Sequence, residues 1–381
     1  KNTTDLFTSI NLIDLFLKKK MQEEKLKQND EETEAEEQFI FDPEKKYKEL
    51  DLEIRTLDDL IKLGKMYSLE SENIYAVDLK KLNSLIEPLN DLKSVVGMNT
   101  LKENISKQII YSLQNLDDEQ EMMHTVLTGP PGVGKTMIGY ILSKIYYNMG
   151  LIKGNKKEKY INPLTGEKEN FKFKIVKRSN LIGEYVGHTA VKTQKVIDDA
   201  LGGILFIDEA YSLGNKDTKD TFSKECIDTL NQNLSENRGK FICIIAGYEE
   251  SLEKCFFAYN DGLRRRFNFR YNIPKYNHEE LTKIFLKKIN DNKWQLDDSV
   301  SNNEYEQLYE IFKSNYKNFP HFGGDMESLF FATKIAHSQR IFGKHPKLRK
   351  IITLDDIKNG YLSFIGHRKT KEDTAYLNMY M

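Results

Sequence analysis

The sequence predicts an α/β fold built on a parallel sheet, followed by an α-helical lid and preceded by a short, mainly helical N-terminal region. Three observations lead there. Short apolar runs recur at "TVLTG", "FKFKIV", "GILFID" and "FICIIAG", each the length of a buried strand. Helical segments separate them, and strands alternating with helices imply a parallel sheet covered on both faces. From about Pro274 onward the strand signals stop and the chain reads mainly as helices.

In chain order, residues 1–38 form an apolar stretch, "LFTSINLIDLFL", and then an almost wholly charged and polar linker, read as a solvated spacer. Residues 39–91 carry patterns such as "LDDLIKLGKMY", which suggest a small helical region without a chemical motif. The α/β unit spans residues 92–273. Its first helix follows from the spacing of Leu101, Ile105, Gln108, Ile109 and Ser112. A second, after "TVLTG", places Ile138, Ile141, Leu142, Ile145 and Met149 on one face. The stretch "GLIKGNKKEKYINPLTGEKENF" is polar and rich in turn signals, as an exposed hairpin or loop would be. Residues 274–366 form the lid and 367–381 a C-terminal tail.

The bulk numbers exclude several functions. At 381 residues the chain holds two or three domains, and a net charge of −1 leaves no overall basic field for nucleic acid or an anionic membrane. Cys226, Cys243 and Cys255 lack metal-type spacing, as reduced thiols in a cytosol-like compartment would. No apolar run approaches the roughly 20 residues that cross a bilayer, and the N-terminus lacks a signal-peptide core. The first residue is Lys1 rather than Met, as in a piece of a longer polypeptide.

Two motifs carry chemistry. "GPPGVGKT" fits G-x-x-x-x-G-K-[ST] between a strand and a helix, the context of a phosphate-binding loop. Gly129, Pro130, Pro131, Gly132, Val133 and Gly134 form the curl, with Met137 just inside the helix. The glycines let backbone N–H groups turn toward phosphate oxygens. Lys135 would bridge the β- and γ-phosphates, and the Thr136 hydroxyl would ligate Mg²⁺. "GGILFIDEA" is an apolar strand ending in two acids, an arrangement that desolvation disfavours unless the carboxylates have a task. Asp208 suits organisation of Mg²⁺, and Glu209 is placed to polarise an attacking water. Together the motifs imply binding and hydrolysis of a nucleoside triphosphate.

With these motifs the sequence resembles the AAA+ ATPases over about Leu92 to Gly366. More narrowly, "LIGEYVGHTAVKT", "GGILFIDEAYSL" and "IIAGYEESLEKCF" are similar to the branch containing red-type Rubisco activase and stage V sporulation protein K. Related ATPases occur in large DNA viruses, and the lysine- and asparagine-rich composition suits that origin. The resemblance implies an adenine pocket with backbone contacts from Val95, Val96 and Gly97. It also implies a pore-facing loop in which Tyr185, Val186 and Gly187 grip an extended polypeptide. The alternative for Tyr185 is a ring folded back into the core. "DGLRRRFNF" resembles the segment that supplies an arginine finger in trans, with Arg266 the first choice and Arg264 the second. Two departures stand out. Tyr248 occupies the place of a polar sensor residue, often Asn. Met326 falls where a second sensor arginine is expected, so that another base such as Arg340 substitutes or the lid senses the γ-phosphate weakly.

The leading expectation is a homo-oligomeric ring, a hexamer, that uses ATP and Mg²⁺ to remodel or thread a protein substrate of unknown identity in the cytoplasm, or for a viral protein in the host cytoplasm or virion. The alternatives are a nucleic-acid motor or loader, which lacks a basic pore here, and an ATP-gated assembly scaffold with little turnover.

Overall fold

The computed structural model describes residues 44–50, 53–67, 75–114, 116, 122–152, 158–185, 187–214, 220–297 and 302–378. The expectations for residues 1–38 and for Val186 fall outside them. The chain divides into two units, Lys1–Glu49 and Leu50–Met381. The second unit holds all the helices and strands of the sheet and lid.

Helices α1 (Leu57–Gly64), α2 (Leu79–Ser84), α3 (Ile86–Ser94) and α4 (Asn99–Leu113) precede strand β1 (Thr125–Thr128). Leu82, Leu85 and Leu89 are fully buried in the same apolar core as the β1-following helix α5 (Lys135–Asn148). Lys144 on α5 pairs at 3.2 Å with both Glu87 and Asp91 of α3. The helical N-terminal region is thus packed against the helix that the phosphate loop opens.

The expected hairpin forms, with β2 (Tyr160–Ile161) antiparallel to β3 (Lys168–Glu169). Then come β4 (Phe173–Val176), α6 (Arg178–Leu181), α7 (His188–Asp198), β5 (Ile204–Ile207), α8 (Thr221–Glu236) and β6 (Ile242–Gly247). Helices α9 (Glu249–Cys255) and α10 (Asp261–Arg264) lead to β7 (Phe269–Asn272). The five-stranded sheet has the order β4-β5-β6-β1-β7 and is parallel throughout. Every residue of β1, β5 and β6 is buried, as a sheet covered on both faces requires. The chain leaves β1 for the far edge and later returns to its other side, so β1 and β6 flank the topological switch point, where α/β sheets bind ligands at their C-terminal ends.

The apolar runs foretold four of these strands and missed β7. It is an edge strand in which only Tyr271 is buried, so it has no continuous apolar run to reveal it. In the lid, α11 (His278–Asp291), α12 (Asn302–Ser314), α13 (Phe322–Ile341) and α14 (Leu354–Asn378) dominate. Between them β8 (Gln295–Leu296) and β9 (Ile351–Ile352) pair in parallel, a departure from an all-helical lid too short to leave a pattern. Helix α14 runs without a break through residue 366. Among the described residues no helix is long and apolar enough to cross a membrane.

Candidate functional site

Sheet register builds the site. Thr128 lies opposite Gly247, so the loops leaving β1 and β6 emerge side by side. On the other side of β6, Ile207 pairs with Ile245, which delivers Asp208 to the same edge. Its N–H donates to the Val176 carbonyl at 2.9 Å.

Two glycines shape the loop after β1. Gly132 has φ +74° and Gly134 φ +92°, values that L side chains avoid. Gly134 caps α5 without a side-chain bond, which leaves the first-turn amides of that helix for a ligand. Lys135 bends back, its Nζ donating to the carbonyls of Gly129 at 2.9 Å and Pro130 at 2.7 Å. The same ammonium lies 5.3 Å from the centre of the Tyr248 ring, and Tyr211 packs on that ring at 5.3 Å. Burial pushes the Lys135 pKa down, while the carboxylates of Asp208 and Glu209 oppose the shift.

Glu209 has φ +52°, a left-handed conformation uncommon outside glycine. Its N–H donates to the Asp208 carboxylate at 3.1 Å. Strain of this kind persists where the surroundings fix it and gathers at functional positions.

These residues face a cavity of about 610 Å³ that Val95, Val96, Pro131, Thr136 and Met137 also line, a volume within the usual range for a small-molecule site. Gly97 stands outside its wall, where an added Cβ would meet the Glu280 carboxylate at 2.1 Å. The residues fit a nucleoside triphosphate with a divalent cation. The loop is curled by glycines, the Lys135 ammonium rests on carbonyl oxygens that phosphate oxygens would replace, and Thr136, Asp208 and Glu209 line the same cavity.

The lid supplies wall residues that the sequence did not disclose. Tyr276 donates its hydroxyl proton to the Val133 carbonyl at 3.1 Å. Lys288 pairs with Glu327 at 3.3 Å, and both line the cavity together with Gly323 and Gly324. The Gly-Gly pair opening α13 was a signal in the sequence; the α11 positions were not, because an exposed lysine on a helix looks the same whether or not it faces a ligand.

Other candidates lie elsewhere. Arg264 is paired with Glu253, and Arg266 donates to the Ser235 hydroxyl at 2.8 Å and the Gly262 carbonyl at 2.6 Å. Neither lines the cavity. Met326 is fully buried in the lid. Arg340 is bound to buried Asp356, at 2.8 Å to Oδ1, and so is engaged within the lid instead of facing the cavity. Tyr185 is 67% exposed, and its ring meets His188 edge-on at 5.5 Å. The ring is therefore not folded into the core. Gly187 follows at φ +83° and caps α7.

Residues 125–275 match the family described as "ATPase family associated with various cellular activities (AAA)". A cfxQ-like protein of Acanthamoeba polyphaga mimivirus is 44% identical over 85% of this chain and 76% of its own length. Stage V sporulation protein K of Bacillus subtilis is 34% identical over 60% of this chain and 68% of its own length. The ESX-3 secretion system protein EccA3 of Mycobacterium leprae is 37% identical over 52% of this chain but only 28% of that longer protein.

Proposed function

Since this chain belongs to the AAA family of ATPases, in the branch of the CfxQ-like proteins and stage V sporulation protein K, we propose that it is a ring motor that couples Mg-ATP hydrolysis to remodelling or threading of a protein substrate. It is an ATP hydrolase; the ring, most simply a hexamer, the Mg²⁺ and the protein substrate are the proposed parts. The exposure of Tyr185 carries the reading. An aromatic ring held in solvent beside a flexible Gly187 is suited to packing against an extended chain of any sequence.

In this reading the loop amides and Lys135 bind the phosphates. Mg²⁺, held by Thr136 and Asp208, would neutralise charge developing on them. Glu209 orients and polarises the attacking water, and the Tyr248 hydroxyl senses the phosphate end. Arg266, or Arg264 in its place, acts on the site of the next subunit. Their distance from the cavity of their own chain supports a role in trans. Arg178 joins the two ends of the machine. It donates to the Ser212 carbonyl at 2.6 Å and pairs with Asp220 at 3.0 Å, so the helix leading to Tyr185 is tied to the segment that follows Glu209.

The buried Met326 favours one second reading, an ATP-gated scaffold with slow turnover, because no lid cation is delivered from that position. Mg²⁺-dependent ATP hydrolysis per protomer, measured across protein concentration beside Arg266→Ala, separates the two. A specific rate that rises with concentration and collapses in the variant supports a site completed between subunits. Intact ATP binding without turnover at any concentration supports the scaffold.

A further inference from the structure

The start of α13 lies on the phosphate loop. The Gly323 N–H donates to the Gly132 carbonyl at 2.9 Å, and a Cβ on Gly132 would stand 1.8 Å from the His321 carbonyl oxygen. A trans peptide is planar, with its C=O and N–H pointing opposite ways. Holding the Gly132 carbonyl toward the lid therefore turns the Val133 N–H away from it. The Tyr276 hydroxyl, bound to the Val133 carbonyl, fixes the Gly134 N–H in the same manner. These amides are what such a loop offers to phosphate, and their direction depends on what grips the carbonyls behind them.

The turn that delivers Gly323 is itself gripped. Phe322 has φ +44°, which a bulky residue keeps only where its surroundings impose it. Asp325 is 2% exposed; it accepts the His321 N–H at 2.7 Å and is ion-paired with Arg368. Arg368 also donates to the Asn318 carbonyl. Its guanidinium lies 4.5 Å from the centre of the Phe364 ring, which stacks on Phe319 at 5.8 Å. One stripe of α14 thus holds both ends of the turn from Asn318 to Asp325. Arg368 lies beyond the stretch that the sequence assigns to the lid. Met326, next to Asp325, is apolar and buried, so contact between this turn and the nucleotide runs through backbone.

We propose that Arg368 is a positioning residue for the nucleotide: through Asp325 it seats the His321–Gly323 turn on Gly132 and thereby aims the loop amides at phosphate. The proposal rests on the reading of the cavity as an ATP site.

Mg-ATP titration of the full chain, with steady-state hydrolysis, tests it. Wild type comes first: if it binds no ATP, the reading of the cavity fails and the proposal with it. Given wild-type binding, Arg368→Ala is expected to raise Kd and KM about tenfold, the scale of one hydrogen bond to a charged group, with kcat at saturating ATP retained. Arg368→Lys, which keeps a cation beside Asp325, should recover most of that loss. A merely structural role would lower the active fraction, and hence kcat, without moving the Kd of the folded protein. Wild-type Kd in Arg368→Ala, or a loss confined to kcat, overturns the proposal and leaves the ATP site standing. Removing the arginine strands a buried carboxylate and threatens folding. The pair Asp325→Asn with Arg368→Gln, which keeps a neutral hydrogen bond, is therefore read alongside; it should still raise Kd about threefold through the weaker bond, and an unchanged Kd counts against the proposal.

Discussion

The Lys135 ammonium stands 5.3 Å from the centre of the Tyr248 ring, joining the loop after β1 to the end of β6. The contact exists because Thr128 and Gly247 are register partners, so the residues just beyond them share one edge of the sheet. A cation above an aromatic face is worth about 0.5–2 kcal/mol, more as water is excluded. The ring and the hydroxyl of Tyr248 are separable. Tyr248→Phe should bind ATP as wild type does but hydrolyse it more slowly, because it keeps the platform and loses the polar sensor. Tyr248→Ala should lose affinity as well. Wild-type turnover in the Phe variant would remove the hydroxyl from the mechanism.

Glu209 lines the cavity from a backbone held at φ +52°. Glu209→Gln keeps the shape and removes the base. ATP affinity should therefore be preserved while kcat drops by about 10²–10⁴, the usual contribution of a positioned general base. Retention of unhydrolysed ATP through gel filtration reads this directly. Normal turnover would mean that another group handles the water.

Gly132→Ala tests the contact between lid and loop by crowding it. The new Cβ would sit 1.8 Å from the His321 carbonyl oxygen at φ +74°, so both the turn and the loop must move. Strained backbone of this kind costs about 1–3 kcal/mol. The thermal midpoint should fall modestly without ATP, and stabilisation by added ATP should largely disappear. A variant that is stabilised by ATP as strongly as wild type would show that the contact is dispensable for binding.

Much of this site was legible because the chemistry is local in sequence. The phosphate loop and the Asp208–Glu209 pair each occupy a few consecutive residues whose types betray their task. The strands that position them were readable for a related reason, since burial on both faces demands continuous apolar runs. What stayed hidden is assembled from distant pieces. Tyr276 and Lys288 reach the cavity only because the lid folds back on the loop, and each resembles an ordinary surface or turn residue in sequence. Strand β7 is polar on its exposed positions, and Arg368 fell in the stretch assigned to the C-terminal tail, its carboxylate partner lying 43 positions away in sequence.

Stability should depend on pH through His124. The ring is fully buried and accepts the Cys243 N–H on Nδ1 at 3.0 Å. Nδ1 therefore carries no proton in the native state. Burial is the main cause that pushes its pKa down from 6.5 to about 4. A histidine that binds its proton less readily when folded favours the unfolded chain as pH falls. Its contribution is complete above pH 6.5, declines between 6.5 and about 4, and the loss reaches about 3 kcal/mol below that window. Urea unfolding at several pH values should show this slope, and His124→Leu should flatten it. A slope unchanged in that variant would assign the acid sensitivity to other groups.

The proposed pulling role turns on Tyr185, and under it ATP chemistry and mechanical work should come apart. The ring is 67% exposed and meets His188 edge-on, so its removal costs little packing and should leave the fold and basal hydrolysis intact. Arg178 at the start of α6 binds both Ser212 and Asp220, in the segment that follows Glu209. If, as proposed, a polypeptide presses on Tyr185 and these contacts pass the force toward Glu209, an unfolded chain added in excess should stimulate hydrolysis by wild type. In Tyr185→Ala the stimulation should vanish while the basal rate persists; Tyr185→Phe, which keeps the ring, should behave as wild type. Arg178→Ala should likewise lose stimulation, yet still bind the unfolded chain through the intact ring. Equal loss of basal and stimulated rates in Tyr185→Ala would make the ring a structural element. Stimulation that survives the change would place the gripping surface elsewhere.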